Sequence, residues 1–227
     1  MLSISVIVPV HNEAQIIQQQ LDRLKTLDIL EIIVVDGAST DGTARMLQME
    51  KNPRLRTFGA HRSRARQQNK GGQEARGEWL LFLHADTVLP AESYDRLVRT
   101  IRENPEMDAG AFYLEMDAVG WYFSYLTWYS RWRSRWFKMP YGDQAVFVRK
   151  RIFDELGGFR EDHPIMEDVE FVRRLNRRAH FRMIDANVIT SARRFLKDGA
   201  LKRGFKNLFI QLLYIAGVRP IRLAKLY

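Results

Sequence analysis

Ile4-Ser5-Val6-Ile7-Val8-Pro9-Val10 is a β-branched run that stops abruptly on His11-Asn12-Glu13, and the pattern is repeated downstream. Glu31-Ile32-Ile33-Val34-Val35-Asp36 ends on Gly37-Ala38-Ser39-Thr40-Asp41-Gly42, and Glu78-Trp79-Leu80-Leu81-Phe82-Leu83 ends on His84-Ala85-Asp86. Short continuous apolar runs are what strands buried on both faces look like. Between them lie polar stretches with apolar residues at helical spacing, Ile16, Ile17, Leu21 and Leu24 first, and a second helical stretch over 63–76. The alternation predicts βαβ units and an α/β fold, a mostly parallel sheet covered by helices.

Farther along, Pro90 opens a predicted helix that runs to Glu103, followed by a strand over 109–116. Residues 121–137 interleave Trp, Tyr and Phe with Arg131, Arg133 and Arg135 and predict a helix with an amphipathic surface. A strand over 144–148, a short helix over 150–156 halted by Gly157-Gly158, and a helix over 166–178 follow. A basic amphipathic helix beginning near Leu201 closes the chain, with Leu201, Phe205, Leu208, Leu212 and Ile215 along one side.

The composition sets limits on these elements. At 227 residues the chain suits one domain, and 46% hydrophobic with 28% charged residues is ordinary globular composition. Without cysteine there is no disulfide framework and no thiolate metal site, which is compatible with a reducing cytosol. The apolar start lacks a basic leader and breaks at Pro9, so it is expected to be a strand and not a signal peptide. Residues 208–218, interrupted by Gln211, fall short of the roughly 20 residues a membrane span needs. A net charge of +9 favours anionic partners without choosing among them.

Ligands of open parallel sheets bind beyond the carboxyl ends of the strands, which directs attention to the three polar strand ends. Each of them also suits a helix N-cap. The spacing of Gly37 and Gly42 superficially suggests a phosphate-binding P-loop, but Thr43 stands where that motif needs lysine, and no strand leads into a G-x-G-x-x-G turn. A basic nucleic-acid-binding protein would explain the C-terminal half but not acidic groups at successive strand ends, so nucleic acid is not an expected partner. A sugar nucleotidyltransferase would need a basic, glycine-rich loop after the first strand, and His11-Asn12-Glu13 does not supply one.

Taken in order, Val8 to Glu13, Val34 to Gly37 with Ser39, Asp41 and Gly42, Leu83-His84-Ala85-Asp86, Arg64 to Gly71, and Gly157-Gly158-Phe159 with Met166-Glu167-Asp168 resemble the family 2 glycosyltransferases of GT-A fold. The strand end Leu83 to Thr87 together with Ser191-Ala192-Arg193-Arg194-Phe195 resembles one subgroup of that family. The resemblance implies one GT-A-like domain with three parts: a nucleotide-sugar-binding half over 1–108, an acceptor and catalytic half over 109–192, and a basic amphipathic segment over 193–227. It also implies transfer of a sugar, with inversion, from a nucleotide-diphosphate donor to an acceptor hydroxyl of a lipid, glycan or small molecule.

In that reading Pro9, Val10, Asn12 and Glu13 wall the nucleoside. Asp36 meets the base or ribose, with Ser39 and Asp41 alongside. Arg64 and Asn69 face the donor, and Arg193 and Arg194 cover the diphosphate or are solvated surface. Asp168 is the implied base with Glu167 beside it, unless the two serve the positive end of their helix. The usual D-x-D metal motif has His84 at its first position, leaving Asp86 as the clear carboxylate for Mn²⁺ or Mg²⁺, and His84 as a second ligand or a hydrogen-bonding group. Residues 121–137 and the last helix suit an acceptor mouth or a membrane surface, and a core helix with snorkelling arginines is the alternative. The implied location is cytoplasmic, with peripheral contact at the inner face of a membrane as an option.

Overall fold

The computed structural model describes residues 2–226, and the side chains of Arg194, Asp198 and Leu201 lie outside that description. Strand β1 (Ile4–Val10) is central, pairing in parallel with β2 (Glu31–Asp36) and with β4 (Trp79–Phe82), while β3 (Leu55–Gly59) continues the parallel set beyond β2. Along β1, Ile4, Val6, Val8 and Val10 enter one apolar cluster and Ile7 the other. Ile32 and Val34 of β2 likewise oppose Ile33 and Val35. Helices α1 (Ile17–Lys25), α2 (Thr43–Met49) and α4 (Ala91–Glu103) cover the first face. Helices α3 (Arg64–Glu74), α6 (Lys150–Glu155) and α7 (Glu167–Arg178) cover the second. Each fully buried Ile, Leu or Phe contributes about 1.5–3 kcal/mol to this three-layer core. Gly71 lets α3 lie close to β1, because a Cβ there would collide with Ile7.

The eight strands run in the order β3-β2-β1-β4-β7-β6-β8-β5. The antiparallel pairs of this mostly parallel sheet lie in its second half. Strand β7 (Phe147–Arg149) is antiparallel to both β4 and β6 (Ala109–Met116), and β5 (Thr87–Val88) is antiparallel to β8 (Phe181–Thr190). Only β6 and β8 pair in parallel there, with a register shift between Ala111 and Tyr113.

The predicted strand over 144–148 is displaced. Gly142–Gln144 forms a 3-10 turn and pairing begins at Phe147, because the Gln144 side chain holds the turn from within. Its Oε1 accepts from the Arg133 guanidinium at 2.9 Å, from Ser134 Oγ at 3.1 Å and from the Tyr141 N–H at 3.1 Å, while its Nε2 donates to the Phe112 carbonyl at 2.8 Å. Replacing Gln144 by Leu leaves these buried groups unsatisfied and is expected to cost about 3 kcal/mol or more, measured as a lower urea midpoint at unchanged slope.

Helix α5 (Trp121–Phe137) forms where the sequence predicts a helix and packs across β6, and α8 (Arg193–Asp198), α9 (Ala200–Ile215) and α10 (Pro220–Leu223) follow. Gly204 of α9 is where that helix meets α5, since a Cβ there would overlap the Tyr122 hydroxyl. Among the described residues no helix is long and apolar enough to cross a membrane.

Candidate active site

The carboxyl ends of β1 and β2 form a tightly stitched pair of loops. Asp36 accepts from the Ser39 N–H at 3.2 Å and from the Ser39 hydroxyl. The Asn12 N–H donates to Ser39 Oγ at 2.9 Å, and Asn12 Oδ1 accepts from the Thr40 N–H at 2.8 Å. Asp41 is turned to loop building: Oδ1 accepts from Thr43 Oγ1 at 2.6 Å at the start of α2, and Oδ2 from the Ala14 N–H at 3.0 Å. Asn12 and Ala38 both hold positive φ, 56° and 59°, a strained backbone of the kind that surrounding bonds must maintain. From beneath, Gln67 Nε2 donates to the Val10 and Val35 carbonyls at 2.7 and 2.8 Å, tying the two strand ends to α3.

A polar cavity of about 200 Å³ opens beyond the end of β4. Arg64 at the head of α3, His84 and Asp86 after β4, Asp143 in the 3-10 turn and Asp168 in the first turn of α7 all line it. Asp168 is oriented by backbone donors, with Oδ2 accepting from the Gly142 N–H at 2.6 Å and Oδ1 from the Val169 N–H at 2.8 Å. Met166, immediately before this pair of acids, has φ 61° and sets the entry of α7. Glu167 turns away from solvent into the protein, 2% exposed, with Arg64 Nη1 3.9 Å from its Oε1. Burial, and next the Asp168 carboxylate, push Glu167 well above the usual carboxylate range, with Arg64 opposing.

Arg193 joins the two regions. Its guanidinium pairs with Glu13 and lies 3.7 Å from Asp86 Oδ2, so α8 is drawn across the strand ends. Of the residues expected to form the site, Arg64, His84, Asp86 and Asp168 meet in the cavity, with Glu13 and Arg193 at its edge. Asn12, Asp36 and Ser39 gather in the neighbouring loops, and Pro9 pairs with Val35 inside the sheet.

Two of the expected residues take part in packing and turn docking. Val10 is 1% exposed in the apolar core, and its carbonyl accepts from Gln67 and from the Gly37 N–H. Asn69 is turned inward, donating to the Phe159 carbonyl at 2.9 Å and accepting from the Phe159 N–H at 2.7 Å. Its amide is consumed in docking the Gly157-Gly158-Phe159 turn onto α3. The side chain of Arg194 lies outside the described residues.

Asp143 was not anticipated. Although the residue is only partly covered, its Oδ1 is shielded from water and has no hydrogen-bond partner among the described residues. Burial raises its pKa from 3.8 to about 6; Asp168 and Asp86 add to the rise, and Arg133 opposes it. Between these values the folded chain binds more protons than the unfolded one, so stability falls as pH climbs from about 4 to about 6. Asp143→Asn is therefore expected to be more stable than the wild type above pH 6, by about 1–3 kcal/mol after solvent screening, with the gap closing below about pH 4. Urea unfolding at both ends of that range checks it; an equal gap at both would refute the assignment.

The sequence model of Glycosyl transferase family 2 matches residues 5–164. The chain belongs to this family. An uncharacterized glycosyltransferase of Haemophilus influenzae is 23% identical over 180 residues, covering 76% of this chain and 61% of that protein. Among solved structures, TarS 1–349 of S. aureus in complex with UDP superposes with a TM-score of 0.69 at 19% identity, over 84% of this chain and 60% of that one. The mannosyltransferase PcManGT of Pyrobaculum calidifontis, in complex with GDP-Man and Mn²⁺, gives 0.59 at 22% identity, over 82% and 56%. The matches thus span about three fifths of these proteins' own lengths. They establish the GT-A fold for this family 2 chain, a mostly parallel eight-stranded sheet flanked by helices.

Proposed function

We propose that the chain is an inverting glycosyltransferase that moves a sugar from a nucleotide-diphosphate donor to an acceptor hydroxyl. The observation that carries this reading is the convergence of Arg64, His84, Asp86 and Asp168 on one cavity beyond the strand ends, joined to the Asp36 loop cluster through Glu13 and Arg193. Asn12, Asp36 and Ser39 then hold the nucleoside, while Arg64 and Arg193 offer guanidinium groups to the diphosphate. Residues 1–108 form the donor side and 109–192 the acceptor side, followed by the basic amphipathic segment 193–227.

An alcohol becomes an effective nucleophile as its proton is removed. Asp168, held by two backbone N–H groups, keeps lone pairs free for that proton. The acceptor oxygen forms a bond to the anomeric carbon and the bond to the diphosphate oxygen breaks. The electron pair leaves with the diphosphate, and Asp168 ends protonated. One displacement from the face opposite the leaving group inverts the configuration.

Among the described residues no group of three His, Cys, Asp or Glu side chains is placed to hold a metal ion. The donor set of Asp86 and His84 fits a cation that completes its shell with substrate phosphates, the usual habit of Mg²⁺ and a workable one for Mn²⁺. When bound, such an ion neutralises charge gathering on the leaving diphosphate. Incubation with UDP- and GDP-sugars, followed by NMR of the product's anomeric proton, tests the function. Inversion is expected, and a product of retained configuration would contradict the single displacement.

A further inference from the structure

The polar cavity has an apolar neighbour. Between α5 and α9 lies a cavity of about 550 Å³ walled by Leu114, Met116, Tyr122, Leu126 and Leu208. Tyr141, Asp143, Phe195, Asn207 and Gln211 line both cavities, so the two adjoin along these side chains. The volume is within the roughly 300–1,000 Å³ range of small-molecule sites. Its outer rim is apolar and wet at once: Trp121 is 76% exposed, Phe205 72% and Tyr125 51%. Trp128, Phe209, Leu212 and Ile215 extend that exposed surface along the same two helices. An apolar surface of this kind on a folded chain marks an interaction site.

Charge says what kind. Residues 193–227 hold nine Lys or Arg and one Asp, in a chain whose whole net charge is +9. Almost the entire excess of positive charge therefore accompanies the apolar helices, the combination that binds at an anionic lipid surface.

We propose that the acceptor is a lipid-class hydroxyl compound, drawn from an anionic membrane surface, whose apolar chain lies between α5 and α9 while its hydroxyl reaches the Asp143 and Asp168 end of the polar cavity. The assignment rests on the transferase reading above. The chemistry is unchanged: the lipid oxygen gains the sugar, its proton passes to Asp168, and the nucleotide diphosphate leaves with the bond pair. The aromatic rim supplies the interfacial contacts, and the α5–α9 cavity selects for chain length.

The test uses the full chain and alkyl glucosides of increasing chain length, from methyl to dodecyl and below micelle formation, as competitors and acceptors in the presence of the sugar-nucleotide panel. Each buried methylene strengthens binding, so affinity is expected to rise on the order of tenfold or more from butyl to octyl. Leu208→Glu and Phe205→Glu, both at partly exposed positions, are expected to flatten that dependence and to weaken binding to phosphatidylglycerol vesicles, leaving nucleotide-dependent heat stabilisation intact. Equal affinity of methyl and octyl glucosides would overturn the proposal. So would a wild type that sediments as a dimer, shows no chain-length effect and becomes monomeric in Phe205→Glu, which would assign the face to a second copy. If no nucleotide stabilises the protein, the transferase reading fails and the acceptor assignment with it, whereas a failed chain-length series with nucleotide stabilisation intact removes only the lipid acceptor.

Discussion

Asp168→Asn is expected to lower the turnover of sugar transfer by roughly a hundredfold to ten-thousandfold, the usual contribution of a positioned base, while nucleotide binding stays near the wild-type level. The substitution keeps the shape and one carbonyl acceptor for the Gly142 N–H, so the turn carrying Asp143 should remain in place. The cost in stability should be about 1 kcal/mol. Steady-state kinetics with a fixed donor separate the possibilities. A fall in kcat with little change in donor KM fits proton removal, and a raised KM at unchanged kcat would assign Asp168 to binding.

Asp86→Ala is expected to remove the dependence of transfer on Mn²⁺ and to reduce the rate by about a hundredfold or more, the scale of losing one preorganised electrostatic contact to a developing charge. Arg193 keeps its Glu13 partner in this variant, so the position of α8 should persist. Transfer assayed across a Mn²⁺ titration reads both effects. A variant as active and as metal-responsive as the wild type would move the charge-stabilising role to Arg64 and Arg193.

The first half of the fold was legible because β1 and β2 are buried on both faces, which forces continuous apolar runs whose ends coincide with the sheet's polar rim. Strand β3 was not, since Leu55-Arg56-Thr57-Phe58-Gly59 is a half-exposed edge with no apolar run. Nor was β8, whose alternation is broken by the register shift against β6 and by the exposed Arg182 and Asp185. The antiparallel placement of β7 depends on contacts far apart in sequence, which local periodicity cannot express.

The site divides along the same line. Asp86, Asp168 and Arg64 sit directly at element ends, where a polar residue after an apolar run stands out. Asn69 and Val10 sit one step back, and their hydrogen bonds and packing are set by tertiary partners, Phe159 and Gln67. Asp143 escaped because it falls just before the strand expected over 144–148, outside any strand end or motif. The signal was there: an acid and an amide follow Tyr141-Gly142 just before the apolar run Ala145 to Val148, where buried polar groups demand partners.

Heat unfolding of the purified chain with nucleoside diphosphates, with and without Mn²⁺, tests the central claim most directly, because a ligand that binds only the folded state raises the midpoint. Stabilisation by one nucleotide, dependent on Mn²⁺ and lost in Asp86→Ala, is the predicted result. A midpoint indifferent to every nucleotide, but raised by nucleic acid, would contradict the account.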